Sequence, residues 1–214
     1  GSQSGYSLTE GSSCTFVGFK AGYTNTTQTS NVGIGYGALQ LNTNASNLVA
    51  IGHDALYAVN HSEAGGCVAV GHQSQKAMDS GQGNTSLGYQ TLVAEDDGDF
   101  NTAIGWQALT SQTGTSGTVG NTALGYQAGK LIDVGTKNTL IGYQAGYDLE
   151  EGDENVYIGY DVDGNSTNAQ NRAAIGYNIT TQADDSVTLG NNDVTAIYCA
   201  QDSGATVHCA AVQI

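Results

Sequence analysis

Asn121-Thr122-Ala123-Leu124-Gly125-Tyr126-Gln127-Ala128-Gly129 returns 17 residues later as Asn138-Thr139-Leu140-Ile141-Gly142-Tyr143-Gln144-Ala145-Gly146. It occurs upstream as Asn101-Thr102-Ala103-Ile104-Gly105-Trp106-Gln107-Ala108-Leu109. Alignment on the central glycine puts Gly18, Gly35, Gly52, Gly71, Gly88, Gly105, Gly125, Gly142, Gly159, Gly176 and Gly190 in one column. Their spacings are 17, 17, 19, 17, 17, 20, 17, 17, 17 and 14. Eleven copies thus cover nearly all of the 214 residues, the signature of a repeat architecture.

The columns carry the physics. The residue before each glycine is always aliphatic: Val17, Ile34, Ile51, Val70, Leu87, Ile104, Leu124, Ile141, Ile158, Ile175 and Leu189. Two places earlier stand Thr15, Val32, Val49, Val68, Thr85, Thr102, Thr122, Thr139, Val156 and Val187, with Ala173 the exception. Apolar residues two apart share one face of a strand, so each copy is expected to open with a short strand that turns both columns to a core. No apolar i, i+3, i+4 stripe supports a helix. The glycine either adopts a conformation closed to other residues or lets another chain segment approach.

A 17-residue unit cannot bury its own apolar face, whereas stacked units can. At a strand spacing of ~4.8 Å, ten steps give a rod on the order of 50 Å long. Like residues then form ladders. The position after the glycine holds Phe19, Tyr36, His53, His72, Tyr89, Trp106, Tyr126, Tyr143, Tyr160 and Tyr177, then Asn191. An amide or acidic column follows, with Gln73, Gln90, Gln107, Gln127, Gln144 and Asp161. Stacked aromatics and amide ladders both stabilise such piles.

Composition agrees and excludes other classes. There are 31 glycines and no proline, and only 12% of residues are charged. Prolines are absent because strands that pair on both sides need their N–H groups. Five basic against 20 acidic residues give −15, which disfavours nucleic acid as a partner. No apolar run approaches the ~20 residues of a membrane span, so membrane insertion is not expected.

The repeated Asn-Thr-Ala-Ile-Gly and the unit Ser186-Val187-Thr188-Leu189-Gly190 resemble the head repeat of trimeric autotransporter adhesins. The longer form with Gly-Tyr-Gln-Ala-Gly is similar to β-roll segments of bacteriophage tail fibres. The stretch Val187-Thr188-Leu189-Gly190-Asn191-Asn192-Asp193-Val194-Thr195-Ala196-Ile197-Tyr198 resembles the junction that precedes an endosialidase-type intramolecular chaperone. The resemblance spans roughly Cys14 to Tyr198. It implies an all-β, left-handed parallel β-roll or β-helix solenoid of about eleven coils, assembled as a homotrimer. It also implies three partners: the chain itself, a host cell-surface receptor (glycan or protein), and the C-terminal chaperone during assembly. The implied place is the virion tail fibre or, alternatively, a bacterial cell surface. Two departures stand out. The adhesin unit is shorter, near the final spacing of 14, and the copies at Gly52, Gly71 and Gly176 lack the Asn that most copies have at the fourth position before glycine, carrying Leu48, Cys67 and Arg172.

On this reading residues 1–12 form a lead-in or cap, 13–194 the β-roll, and 195–214 a trimer-capping tail. Candidate receptor contacts are Trp106, Tyr126, Tyr143 and Tyr89 of the aromatic column, because exposed rings suit sugars and receptor loops. The opposing expectation packs that column inside the roll or between subunits. Thr113 and Thr115 lie in the long insert Thr110–Gly120, and Asp96 and Asp97 in an acidic stretch with Glu95 and Asp99 read as an outer loop. Another insert, Val59–Gly66, carries His61 and Glu63.

No cofactor is expected, although acidic loops leave room for structural calcium or an axial ion. Asp161-Val162-Asp163-Gly164-Asn165 begins like a calcium loop without its later ligands. His53 and His72 share a column in adjacent coils but lack supporting ligands. Enzyme chemistry is not expected, since no nucleophile–base constellation stands out. Cys14 and Cys67 fall three coils apart, roughly 14 Å, too far for a disulfide. Cys199 and Cys209 could pair only across a hairpin. A structural shaft spacer is the rival to receptor binding. Ice binding through Thr85, Thr102, Thr122 and Thr139 ranks lower, because those threonines are expected on the core face.

Overall fold

The computed structural model describes residues 1–113 and 117–197. Among them there is no helix, and hence none long and apolar enough to cross a membrane. The strands are β1 (Thr15–Val17), β2 (Val32–Ile34), β3 (Val49–Ile51), β4 (Val68–Val70), β5 (Thr85–Leu87), β6 (Gly98–Asp99) and β7 (Thr102–Ile104). They continue as β8 (Gly117–Thr118), β9 (Thr122–Leu124), β10 (Thr139–Ile141), β11 (Val156–Gly164), β12 (Arg172–Thr181) and β13 (Ser186–Leu189). Eleven of these, all but β6 and β8, form one parallel sheet in chain order. Pairing always joins equivalent repeat positions, as in Thr122↔Thr139 and Leu124↔Ile141. The chain is therefore a parallel β-solenoid of about ten turns, one repeat per turn.

The strand faces are the reverse of the expectation. The residue between the two bulky columns points inward: Gly33, Ala50, Ala69, Ser86, Ala103, Ala123, Leu140, Tyr157 and Ala174 are buried. The aliphatic column points outward, with Ile34 36%, Leu124 44% and Val17 53% exposed. The physical reason is width. A coil this small has little interior beside its corner, so the strand offers its small side chain to the inside.

In most coils the inward residue is matched by size to the residue four places after the glycine; an exception is Ala123 with Gly129, where Leu109 and Leu140 of the neighbouring coils take the space. Ala50 faces Leu56, Ala103 faces Leu109 and Ser86 faces Leu92, all six buried. Where the strand residue is large the partner shrinks. A Cβ on Gly146 would lie 2.6 Å from Leu140 Cδ2, and one on Gly22 would overlap the Phe16 ring. From Gly22 to Gly146 these corner positions, leucine included, have a left-handed backbone, for example Leu109 at φ 51° and Gly146 at φ 64°. The core consists of two apolar clusters, Ala38 to Met78 and Leu92 to Ile179. Between them lies a polar block in which the Gln75 amide donates to Ser86 Oγ at 2.7 Å and to the Val68 carbonyl at 3.0 Å.

The central glycine needs both properties proposed for it. Gly142 has φ 135°, and a Cβ there would overlap the carbonyl of Gly159 in the next coil. A second ladder, of asparagines, seals the inside of the stack. Asn121 Oδ1 accepts from the Asn138 N–H at 2.8 Å, and Asn138 Oδ1 from the Asn155 N–H at 2.9 Å. The Nδ2 groups of Asn31, Asn84, Asn121, Asn138 and Asn155 each donate to a carbonyl 14 residues on, as Asn138 does to Gly152 at 2.7 Å. The exceptions keep parts of this job. The thiols of Cys14 and Cys67 donate to the carbonyls of Gln28 and Gly81. Arg172 donates its N–H to Asn155 Oδ1, and its buried guanidinium reaches Asp184 and Asn165.

Residues 1–12 follow the same path. Gly5, Ser7 and Thr9 donate N–H groups to the carbonyls of Ala21, Tyr23 and Thr26, and Tyr6 stacks on Tyr23. The three residues by which a long spacing exceeds 14 sit after β11, in the connection Asn165–Asn171, where the last coil needs only Gln182–Asp185.

Candidate functional site

Just past the glycine corner the aromatic column forms a stack on the outside of the solenoid. Ring centroids are 5.3 Å apart for Phe19–Tyr36, 4.8 Å for Tyr36–His53, 5.1 Å for His53–His72, 5.2 Å for His72–Tyr89 and 4.1 Å for Tyr89–Trp106. A second run joins Tyr126–Tyr143 at 5.0 Å, Tyr143–Tyr160 at 4.8 Å and Tyr160–Tyr177 at 5.4 Å. The expectation that these rings pack inside the roll is overturned: Trp106 is 49% exposed and Tyr126 41%. They lie outside because the chain turns at the glycine, and the coil interior is filled by the alanine and leucine that follow.

Exposure does not free the ring faces. Tyr89 and Tyr143 each have a ring on either side, so they offer edges and hydroxyls to solvent. Trp106 and Tyr126 flank the break in the stack, where the 20-residue spacing falls, and among the described residues no ring pairing joins them. Beside the rings runs the amide ladder. Gln90, Gln107, Gln127 and Gln144 each donate from Nε2 to the Oε1 of the preceding glutamine, at 3.0 to 3.1 Å. Asp54, in the same column, holds Oδ2 3.3 Å from His53 Nδ1 and 3.6 Å from Lys76 Nζ.

The loop candidates separate from this stack. Thr113 is exposed and donates to Asp133 Oδ1, while Thr115 lies outside the described residues. Asp96 is exposed, and its carbonyl accepts N–H groups of Asp79, Ser80 and Gly81. Asp97 is half-buried and accepts from Ser80 Oγ. No hydrogen bond or ion pair among the described residues joins Asp96 or Asp97 to the aromatic candidates.

Glu95 departs from the outer-loop reading and Asp163 from the calcium-loop one. Glu95 is fully buried inside the coil, where it accepts from Gly98 N–H at 2.7 Å and from the Gln112 amide. Burial raises its pKa, because the charged form loses water. Asp163 lies in strand β11 rather than in a calcium loop, at a corner that holds leucine in other coils. Burial pushes it up to about 6, against the pull of hydrogen bonds from the N–H groups of Asp148 and Gly164. Among the described residues no group of three or more His, Cys, Asp or Glu could hold a metal ion.

Cys14 and Cys67 are both free thiols, in line with the columnar distance. Burial pushes Cys67 up to about 11. Cys199 and Cys209, and the tail from residue 198, lie outside the described residues.

The feature that reading by residue type missed is the outward sheet face. Its aliphatic column and its Thr/Val column run beside each other over all eleven strands without a charged residue. The signal was present in the small residue between them, which is Gly, Ala or Ser in seven of the eleven copies. At the C-terminal end a groove of about 540 Å³ opens where β13 stops short of Asn178–Thr181 on β12. Compared with protein-family models, curated proteins and solved structures, the chain matches none.

Proposed function

We propose that this chain is a β-roll segment of a homotrimeric fibre, of the bacteriophage tail-fibre or surface-adhesin kind, that binds a host cell-surface receptor. The observation that carries the reading is the outward aliphatic face. Fully burying a Val, Ile or Leu is worth ~1.5–3 kcal/mol, so half-exposed members have about 1 kcal/mol each still to gain. Over the seven exposed positions that is on the order of 7 kcal/mol per chain, enough to offset much of the cost of association. A contiguous uncharged apolar ladder of this kind marks an interaction surface. Copies of the same chain suit it, because a flat repeating surface is complementary to itself. A left-handed turn, a three-fold axis and a C-terminal chaperone come from the sequence resemblance.

Receptor contact is assigned to the rim of the aromatic column, with Trp106 and Tyr126 at the break in the stack, and to the outer loops with Thr113, Thr115, Asp96 and Asp97. Three chains would multiply weak contacts. No catalysis and no resident cofactor belong to this reading. The test is labelling of diverse bacterial cells with fluorescent protein. Host-restricted labelling that falls on Trp106→Ala supports it; no labelling by the intact oligomer leaves a structural shaft spacer.

The same outward face favours a second reading. Thr85, Thr102, Thr122 and Thr139 stand in consecutive coils on the solvent side, beside Leu87, Ile104, Leu124 and Ile141. The objection that these threonines face the core therefore falls, and a flat hydroxyl-and-methyl face suits ice. Thermal hysteresis decides it: a measurable freezing gap would replace the fibre reading, and its absence removes ice binding.

A further inference from the structure

We propose that the tyrosines of the outer stack form an oxidative cross-linking site, in which a one-electron oxidant joins Tyr126, Tyr143, Tyr160 and Tyr177 by dityrosine bonds. Three observations carry this. Successive rings lie 5.0, 4.8 and 5.4 Å apart, with interplanar angles of 10°, 7° and 23°. All four rings are 40% exposed or more, so a diffusible oxidant reaches them and their hydroxyl protons can leave to water. The backbone beneath is fixed by the coil register Tyr160↔Tyr177 and by the bonds Gln144 N–H to Tyr126 and Asp161 N–H to Tyr143.

The chemistry balances as follows. Each of two phenols gives one electron to the oxidant and its hydroxyl proton to water. The two phenoxyl radicals then join through the carbons ortho to oxygen, forming one carbon–carbon bond. Each ortho hydrogen moves through water to its own phenol oxygen, which restores both rings. Two electrons and two protons are lost, and the oxidant takes up two reducing equivalents. The oxidant class is a single-electron acceptor such as a peroxidase intermediate or a photo-generated metal complex.

Such a bond ties one coil to the next. Between adjacent coils the stack otherwise depends on hydrogen bonds and packing, so a staple at this column would prevent coils from peeling apart. Rings held about 5 Å apart also outcompete chance encounters between chains, because a fixed neighbour acts at a very high effective concentration. Tyr57 and Tyr147 lie in another column and are paired with Lys76 and Lys130 rather than with rings, which makes them internal controls.

The experiment oxidises the full-length protein with photo-generated tris(bipyridyl)ruthenium(III) and maps linked peptides by mass. The expected links are Tyr126–Tyr143, Tyr143–Tyr160 and Tyr160–Tyr177, each with loss of two hydrogens. Their yield should exceed that of the chain unfolded in guanidinium by more than about tenfold. Tyr143→Phe, which removes one hydroxyl, should abolish the first two links and leave Tyr160–Tyr177. An equal mixture of isotopically heavy and light protein should give no mixed-mass links. Absence of dityrosine in the folded protein, equal yield after unfolding, equal linking of Tyr57 and Tyr147, or mixed-mass links would each overturn the proposal.

Discussion

Exchanging the sizes of Leu140 and Gly146 tests the packing rule inside the coil. In this coil the strand residue is large and the corner is glycine; in the coil of Ala103 and Leu109 the arrangement is opposite. Leu140→Ala alone removes a fully buried side chain and should cost ~2–5 kcal/mol, transfer and cavity together. Gly146→Leu alone drives a side chain into Leu140, since even a Cβ would sit 2.6 Å from Cδ2, and overpacking costs ~1–3 kcal/mol. Additivity would give a double variant about 5 kcal/mol less stable. The structure instead predicts that Leu140→Ala with Gly146→Leu rebuilds the Ala103/Leu109 arrangement. What then remains is the cost of a left-handed leucine, about 1–2 kcal/mol. That cost is one Leu39, Leu56, Leu92 and Leu109 already bear. Guanidinium unfolding of the four proteins at one protein concentration measures the coupling. A double variant as unstable as the sum of the singles would refute the rule.

Other outcomes follow from single groups. Asp163 has a folded-state pKa of about 6, above its ordinary value, so the folded chain binds more protons between about pH 4 and 6. Stability should therefore fall as pH rises through that window, by on the order of 2–3 kcal/mol, and Asp163→Asn should flatten the profile of unfolding midpoints. Asn138→Ala should cost about 2–5 kcal/mol in chemical unfolding, because the Asn155 N–H and the Gly152 carbonyl both lose a buried partner. At pH 8 a thiol reagent should modify Cys14 in the native protein while Cys67, with its pKa near 11, stays unmodified until unfolding; peptide mapping distinguishes them.

Much of the fold was legible because the repeat repeats its physics. The glycine column, the parallel pairing of like positions and the aromatic and amide ladders all follow from a period of 17 residues with three fixed residue types. The facing of the strands was not, because alternation says only that Thr122 and Leu124 share a side, not which side. Bulk argued for the inside. The deciding clue was the anticorrelation between Ala103 with Leu109 and Leu140 with Gly146, which only makes sense if those two positions meet inside the coil. Glu95 misled for a related reason. Its column holds Val59, Met78, Ile132 and Leu149 in other coils, an interior pattern that the run of neighbouring acids hides. Among the candidate contacts, stacking of Tyr89 and Tyr143 was foreseeable from the period. The consequence, that only ring edges remain to meet a receptor, needed the interplanar angles. Thr113, Asp96 and Asp97 were chosen from loop composition, which does not orient side chains.

The aliphatic column faces outward, and in the proposed fibre copies of the chain cover it. Sedimentation equilibrium of the folded protein, alone and as Ile104→Asp, tests this most directly. The prediction is a mass three times 21.9 kDa for the unaltered chain, with the aspartate, a charge placed in the middle of that face, shifting it toward the single-chain mass. A folded, unaltered chain that stays at 21.9 kDa across the accessible concentrations would contradict it.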